Sequence, residues 1–113
     1  MGITLPASWR SRVRAILDSG DRKKIIVRQR ALRDWLILFP DLFPGDLPNA
    51  LSEALEDPEL EGVQVFGMQE PGEIYEFIFS HANRRVYTKI NLCPDGTVVI
   101  IYSAHRPLKG DTL

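Results

Sequence analysis

From Glu73 to Pro107 apolar and polar positions alternate through three runs, EIYEFIFSH, RRVYTKINL and TVVIIYSAHRP, divided by Ala82-Asn83 and Pro94-Asp95-Gly96. Runs rich in Tyr, Phe, Ile, Val and Thr between such turn residues predict an antiparallel meander. A two-residue loop at Ala82-Asn83 sets Phe79 opposite Val86, Phe77 opposite Thr88 and Tyr75 opposite Ile90. On the other face it sets Ser80 opposite Arg85, Ile78 opposite Tyr87 and Glu76 opposite Lys89, the last a favourable cross-strand pair.

The second turn admits two readings. In the preferred one, Pro94, Asp95 and Gly96 form a three-residue loop with Gly96 left-handed, which pairs Cys93 with Thr97, Leu92 with Val98, Ile90 with Ile100, Thr88 with Tyr102 and Val86 with Ala104. The opposite face then pairs Asn91 with Val99, Lys89 with Ile101, Tyr87 with Ser103 and Arg85 with His105. The competitor is a two-residue Asp95-Gly96 loop, which moves Ser103 and His105 to the apolar face. In the preferred register one face carries Tyr75, Phe77, Phe79, Val86, Ile90, Leu92, Val98, Ile100 and Ala104, a core. The other gathers Glu76, Arg85, Tyr87, Lys89, Ser103 and His105.

Upstream the period changes. Residues 1–7 read as a loose arm; Ser8 then caps a helix with Trp9, Val13, Ile16 and Leu17 on one stripe and Gly20 as its left-handed end. Asp21 is placed as the cap of a longer helix to about Leu38, although the β-branched Ile25-Ile26-Val27 also suits a brief strand. Pro40, Pro44 and Pro48 break the next segment, where Phe39, Leu42, Phe43 and Leu47 are expected to plug into the core. A short acidic helix over 49–56, a strand over 63–67 and a turn at Glu70-Pro71-Gly72 complete the order. The prediction is a single α+β domain over 1–113: a helical part (1–61), a roughly four-stranded antiparallel sheet (62–107) with the helices on its apolar face, and a tail (108–113).

With 113 residues the chain can bury a core without staples, and its single Cys93 cannot form an internal disulfide. Cys93 lies beside a turn and reads as an ordinary small apolar residue rather than a nucleophile. No apolar segment follows Met1 and no long apolar span occurs, so the expectation is a soluble cytoplasmic protein without a membrane partner. The net charge of −1 conceals a segregation. Residues 1–40 hold nine Lys and Arg against three Asp; residues 41–80 hold ten Asp and Glu and no base; residues 81–113 hold five bases against two acids. Such asymmetry suits a polyanion partner, and also suits internal neutralisation of the basic ends by the acidic middle.

Metal-ligand spacing is absent among His81, His105 and Cys93, and there is no GxGxxG, GxxxxGK[ST] or GxSxG. The reading requires neither metal nor cofactor. The polar sheet face is the better candidate. Arg85 and Lys89 can hold phosphate charge, His105 can serve as general acid or base, Glu76 as a base, and Tyr87 can stack on a nucleobase or orient a phosphate. Ser103, Arg106, Lys109 and His81 are the companion substrate-binding candidates, although His81 sits at a hairpin tip where a plain turn residue is common. Each of these side chains also has an ordinary place on a solvated sheet face, Glu76 and Lys89 as a simple ion pair.

The hairpin RRVYTKINLCPDGTVVIIYSAHRP, residues 84–107, resembles the last strands of small bacterial ribonuclease toxins of the group sharing the RelE, barnase and colicin-RNase fold. The resemblance covers roughly the last 50 residues. It implies N-terminal helices on a four-stranded antiparallel sheet whose exposed face cleaves RNA without metal, and neutralisation by a cognate antitoxin or immunity protein. Carried onto this chain, it makes Arg85, Lys89 and His105 the basic and acid/base positions, with Tyr87 and Ser103 assisting. The expected function is therefore a metal-independent endoribonuclease toxin working by 2′-OH attack. Two other classes stand beside it: an interaction module using the acidic segment 40–61 as a partner surface, and a nucleic-acid-binding regulator using Arg10, Arg14 and Arg22.

Overall fold

A computed structural model of the chain describes residues 2–108; Lys109, one of the substrate-binding candidates, lies outside the described residues. The elements run β1 (Ile3–Thr4), α1 (Ala7–Ser19), β2 (Ile25–Val27), α2 (Gln29–Leu38), α3 (Asp46–Ala54), β3 (Glu61–Val65), β4 (Glu73–His81), β5 (Arg84–Leu92) and β6 (Val99–His105). The six strands form one mixed sheet in the order β1-β3-β4-β5-β6-β2, and the three helices pack on one face of it. The fold is α+β as expected, but the sheet has six strands rather than four and includes one parallel pair, β2 with β6.

The two additional strands come from segments assigned otherwise. The arm pairs antiparallel with β3, Ile3 beside Gly62 and Thr4 beside Glu61. The long helix expected from Asp21 is divided: Asp21 accepts the Lys23 and Lys24 N–H groups in a turn at 2.9 Å each, and Ile25–Val27 becomes a strand along β6. Two backbone bonds clamp it there, Val99 N–H to the Lys24 carbonyl at 2.8 Å and Arg28 N–H to the Ile101 carbonyl at 3.0 Å. Three β-branched residues lose χ1 freedom in a helix and fit an open sheet edge, so the sheet wins this segment. Ser8 lies inside α1, which starts after Pro6, and Gly20 ends it at φ 67° as expected.

The first hairpin has the expected register throughout, from Glu73 beside Leu92 to His81 beside Arg84. Ala82 (φ 48°) and Asn83 (φ 65°) both take the left-handed region, the conformation of a type I′ turn. Alanine is poorly suited to that region. The A82N/N83G variant is expected to raise stability by about 0.5–1 kcal/mol, read as a higher urea midpoint at unchanged slope.

The second hairpin differs from expectation. Asp95 accepts the Thr97 N–H at 3.1 Å and the Thr97 hydroxyl at 2.8 Å, which draws Thr97 into the loop. The turn therefore spans Pro94 to Thr97, closed by Cys93 N–H on the Val98 carbonyl at 2.9 Å, and pairs Leu92 with Val99, Asn91 with Ile100 and Ile90 with Ile101. Val99 and Ile101 enter the core in place of Val98 and Ile100. A bulge at Tyr102 then shifts the register again, to Lys89 with Ser103, Thr88 with Ala104 and Tyr87 with His105. The bulge returns Ser103 and His105 to the polar face, on new partners: His105 faces Tyr87 rather than Arg85, and Ser103 faces Lys89 rather than Tyr87.

The core joins Trp9, Val13, Ile16 and Leu17 of α1, Ala31 and Trp35 of α2 and Leu47, Ala50 and Leu51 of α3 to the inner sheet face. Phe39 and Leu47 plug in as expected and Leu42 packs at the margin, whereas Phe43 is exposed. Among the described residues no helix is long and apolar enough to cross a membrane.

Candidate functional site

The outer face of the sheet, away from the helices, is divided in two. Over its lower half lies the connection between β3 and β4. There the buried Asn91 amide donates to the Pro71 carbonyl and the Tyr102 hydroxyl at 3.1 Å each, and Tyr102 donates to Glu70 at 2.8 Å. Arg28 closes this network, 3.3 Å from the second Glu70 oxygen and 5.8 Å above the Tyr102 ring. Gly72 crosses at φ 139°, where a Cβ would stand 2.0 Å from Asn91 Oδ1 and 2.6 Å from the Leu92 carbonyl. Only glycine lets the chain pass this close. Burial, and then the Glu70 carboxylate, raise the Tyr102 phenol above its ordinary value, against the opposing pull of the Asn91 contact and the Arg28 charge.

The upper half is open and holds most of the candidates. Alternation along β4 and β5 puts Glu76, Tyr87 and Lys89 on this face, and the bulge adds Ser103 and His105. The Tyr87 hydroxyl donates to Glu76 Oε2, while its ring stacks on His105 with centroids 4.9 Å apart and planes 22° apart. One buried tyrosine therefore fixes two titratable groups. Glu76 stands opposite Lys89 in the ladder as expected, yet no ion pair forms between them; the carboxylate turns to Tyr87. His105 Nδ1 is 2.7 Å from the Arg106 carbonyl oxygen, which can only accept, so Nδ1 carries a hydrogen and Nε2 is the ring nitrogen left for proton exchange.

The other candidates fall into place around or away from this group. Lys89 and Ser103 are half-buried neighbours across β5 and β6; Arg85 is exposed at the hairpin end beside Ser80, with no β6 partner. Arg106 is exposed just past β6. Tyr87 is 8% exposed with its face on His105, so it positions neighbours and does not stack on a nucleobase as expected. His81 does not join the site: it lies on the helix side, its ring 5.7 Å from Trp35 and 5.5 Å from Phe39.

Two of the three basic residues assigned to nucleic acid, Arg10 and Arg14, are occupied within the fold. Arg10 donates to the Leu55 carbonyl at 3.1 Å and the Leu5 carbonyl at 3.4 Å; Arg14 donates to the Ser52 carbonyl at 3.2 Å and pairs with Glu56 at 3.1 Å. Part of the charge segregation thus neutralises itself between α1 and the end of α3, which removes Arg10 and Arg14 from the regulator reading. Among the described residues no three His, Cys, Asp or Glu side chains converge as a metal site.

Burial first, and then Asp95 and Glu70, push the Cys93 thiol up, away from the thiolate a nucleophile needs. Iodoacetamide is accordingly expected to alkylate Cys93 more slowly than free glutathione at pH 7.5, measured by mass spectrometry of the native protein; equal or faster labelling would restore it as a reactive group.

The Arg28–Glu70–Tyr102–Asn91 network has no local signal in the sequence, since its members are far apart in the chain; the nearest hint is an Asn inside an otherwise apolar strand. No protein-family description matches the chain, and neither a curated protein nor a solved structure matches it significantly.

Proposed function

We propose that the open half of the outer sheet face is the active surface of a metal-independent endoribonuclease. The observation that carries this reading is Tyr87, which holds the Glu76 carboxylate by its hydroxyl and the His105 ring by stacking, beside Lys89 and Arg85. A base and an acid fixed to one rigid side chain are what in-line attack by a neighbouring hydroxyl requires.

In this mechanism the Glu76 carboxylate takes the proton of the ribose 2′-OH, and that oxygen attacks the adjacent phosphorus. His105 in its imidazolium form gives the Nε2 proton to the 5′-oxygen as its bond to phosphorus breaks, leaving a 2′,3′-cyclic phosphate and a free 5′-OH. Lys89 and Arg85 offset the added charge on the phosphorane, Ser103 donates a hydrogen bond, and Arg106 extends the phosphate track. The enzyme acts in the cytoplasm as a toxin, and a cognate antitoxin or immunity protein silences it by covering Lys89, Arg85 and Arg106. The resemblance of residues 84–107 to ribonuclease toxins supports the same reading.

A second reading, an interaction module presenting segment 40–61, is favoured by the exposed Glu53, Asp57 and Glu59 near the end of α3. One experiment separates them. Induced expression of the wild type arrests growth and Lys89→Ala/His105→Ala at equal soluble level does not. Purified protein in EDTA cleaves single-stranded RNA to cyclic phosphate ends and leaves a 2′-deoxy strand intact. Harmless wild type at good yield, with no cleavage, returns the face to a solvated surface and favours the module.

A further inference from the structure

The two outer edges of the sheet are closed by very short strands, β1 of two residues and β2 of three, a common protection against unwanted pairing. A third edge is left open inside the sheet. Strand β4 continues to His81, but its last pair with β3 is Phe77 with Gly62. Beyond that pair, Ile78 to His81 border a cleft of about 370 Å³ whose opposite wall is the end of α3 and the following turn, with Glu53 and Asp57. Backbone pairs in an antiparallel ladder alternate, and a two-residue turn makes the pair closing it, His81 with Arg84, hydrogen-bonded. Phe79 and His81 therefore bond toward β5, whereas Ile78 and Ser80 direct their N–H and C=O groups away from it; the non-hydrogen-bonded Phe77–Gly62 pair uses the Ile78 N–H on the Glu61 carbonyl, which leaves the Ile78 carbonyl and both Ser80 groups toward this edge. No Lys, Pro or bulge guards the stretch.

We propose that this upper edge of β4 is a strand-addition site for an extended segment of a partner protein in which Lys or Arg alternates with neutral or acidic residues. The pattern follows from geometry. Side chains of an added strand point alternately to the two faces of the sheet, one set toward the helix layer, where Glu53 and Asp57 stand, and the other toward the outer face, where Arg85 stands. Main-chain bonds to Ser80 and to the Ile78 carbonyl supply the affinity and the two sets of charges fix the register. The proposal does not depend on RNA cleavage by the outer face, although it shares Arg85 with it.

The probe is a capped hexapeptide alternating Lys with Thr and Glu, titrated into the full ¹⁵N-labelled chain. Shifts are expected at the amides of Ile78 and Ser80 and along the end of α3. Ser80→Pro, which removes an outward N–H and leaves the β5 ladder intact, weakens binding at least tenfold. The pair Glu53→Lys/Asp57→Asn weakens it roughly tenfold as well; asparagine keeps the oxygen that accepts the Glu59 N–H. Absence of binding, shifts confined elsewhere, or wild-type affinity in either variant overturns the proposal. So does self-association of the wild type that Ser80→Pro abolishes, which would make a second copy the occupant.

Discussion

Glu76→Gln is expected to slow RNA cleavage by about 10²–10⁴-fold, the range for removing a positioned general base. The substitution is chosen because glutamine keeps an oxygen to accept the Tyr87 hydroxyl, so the geometry of the face survives. Stability should stay within about 0.5 kcal/mol of wild type, as for a partly exposed sheet position. His105→Ala is expected to cost a similar factor in rate, together with about 0.5–1.5 kcal/mol of stability from the lost stack on Tyr87. Because base and acid serve one displacement, the double variant should be hardly slower than the slower single one. Tyr87→Phe keeps the ring beneath His105 and releases Glu76, and about a tenfold loss is expected from this loss of positioning. Single-turnover cleavage of a labelled single-stranded RNA, with urea midpoints measured in parallel, reads all four. Wild-type rates in both single variants would reduce the group to a solvated sheet face.

The first hairpin was legible because everything that sets it is local. Two turn residues fix the register, and alternation then assigns every side chain from Glu73 to Leu92 to a face. The second hairpin was not, because its register depends on a side chain competing with the ladder. Asp95 bonds Thr97 and takes it from the strand, and the bulge at Tyr102 compensates immediately past the core pair Ile90–Ile101. Neither event has a sequence signal as strong as Pro-Asp-Gly itself. The edge strands were missed for a related reason: Ile3–Thr4 and Ile25–Val27 are too short to show a period, and they exist because a sheet edge was available.

Of the site, membership was legible and internal geometry was not. Period-two alternation placed Glu76, Tyr87 and Lys89 together, but only the three-dimensional arrangement reveals that Glu76 bonds Tyr87 rather than Lys89. His81 could have been assigned correctly from sequence. It stands two residues after Phe79, so the same alternation that sends Phe79 to the core sends the His81 ring to Trp35 and Phe39.

Trp9→Ala is expected to destabilise the fold by about 3–5 kcal/mol, the cost of emptying a large aromatic site in a core. Trp9 is 1% exposed, meets the Tyr75 ring edge-on at 4.9 Å and that of Phe77 at 6.5 Å, and donates its indole N–H to the Glu73 carbonyl at 2.9 Å. Alanine would leave a cavity between α1 and β4 and an unpaired carbonyl at the strand's first residue. For a domain of this size the loss should lower the melting midpoint by roughly 10–20 °C, read by circular dichroism. Trp9→Phe separates packing from the hydrogen bond. It refills most of the volume but cannot reach Glu73, so about 1–2 kcal/mol is expected. The position also bears on the site, since Glu73 begins the strand that three residues later presents Glu76. If Trp9 pins the start of β4, Trp9→Phe at a temperature where it remains folded should slow RNA cleavage several-fold without any contact to RNA. An unchanged rate alongside the lowered midpoint would assign Trp9 to stability alone and leave the placement of Glu76 to the β4–β5 ladder.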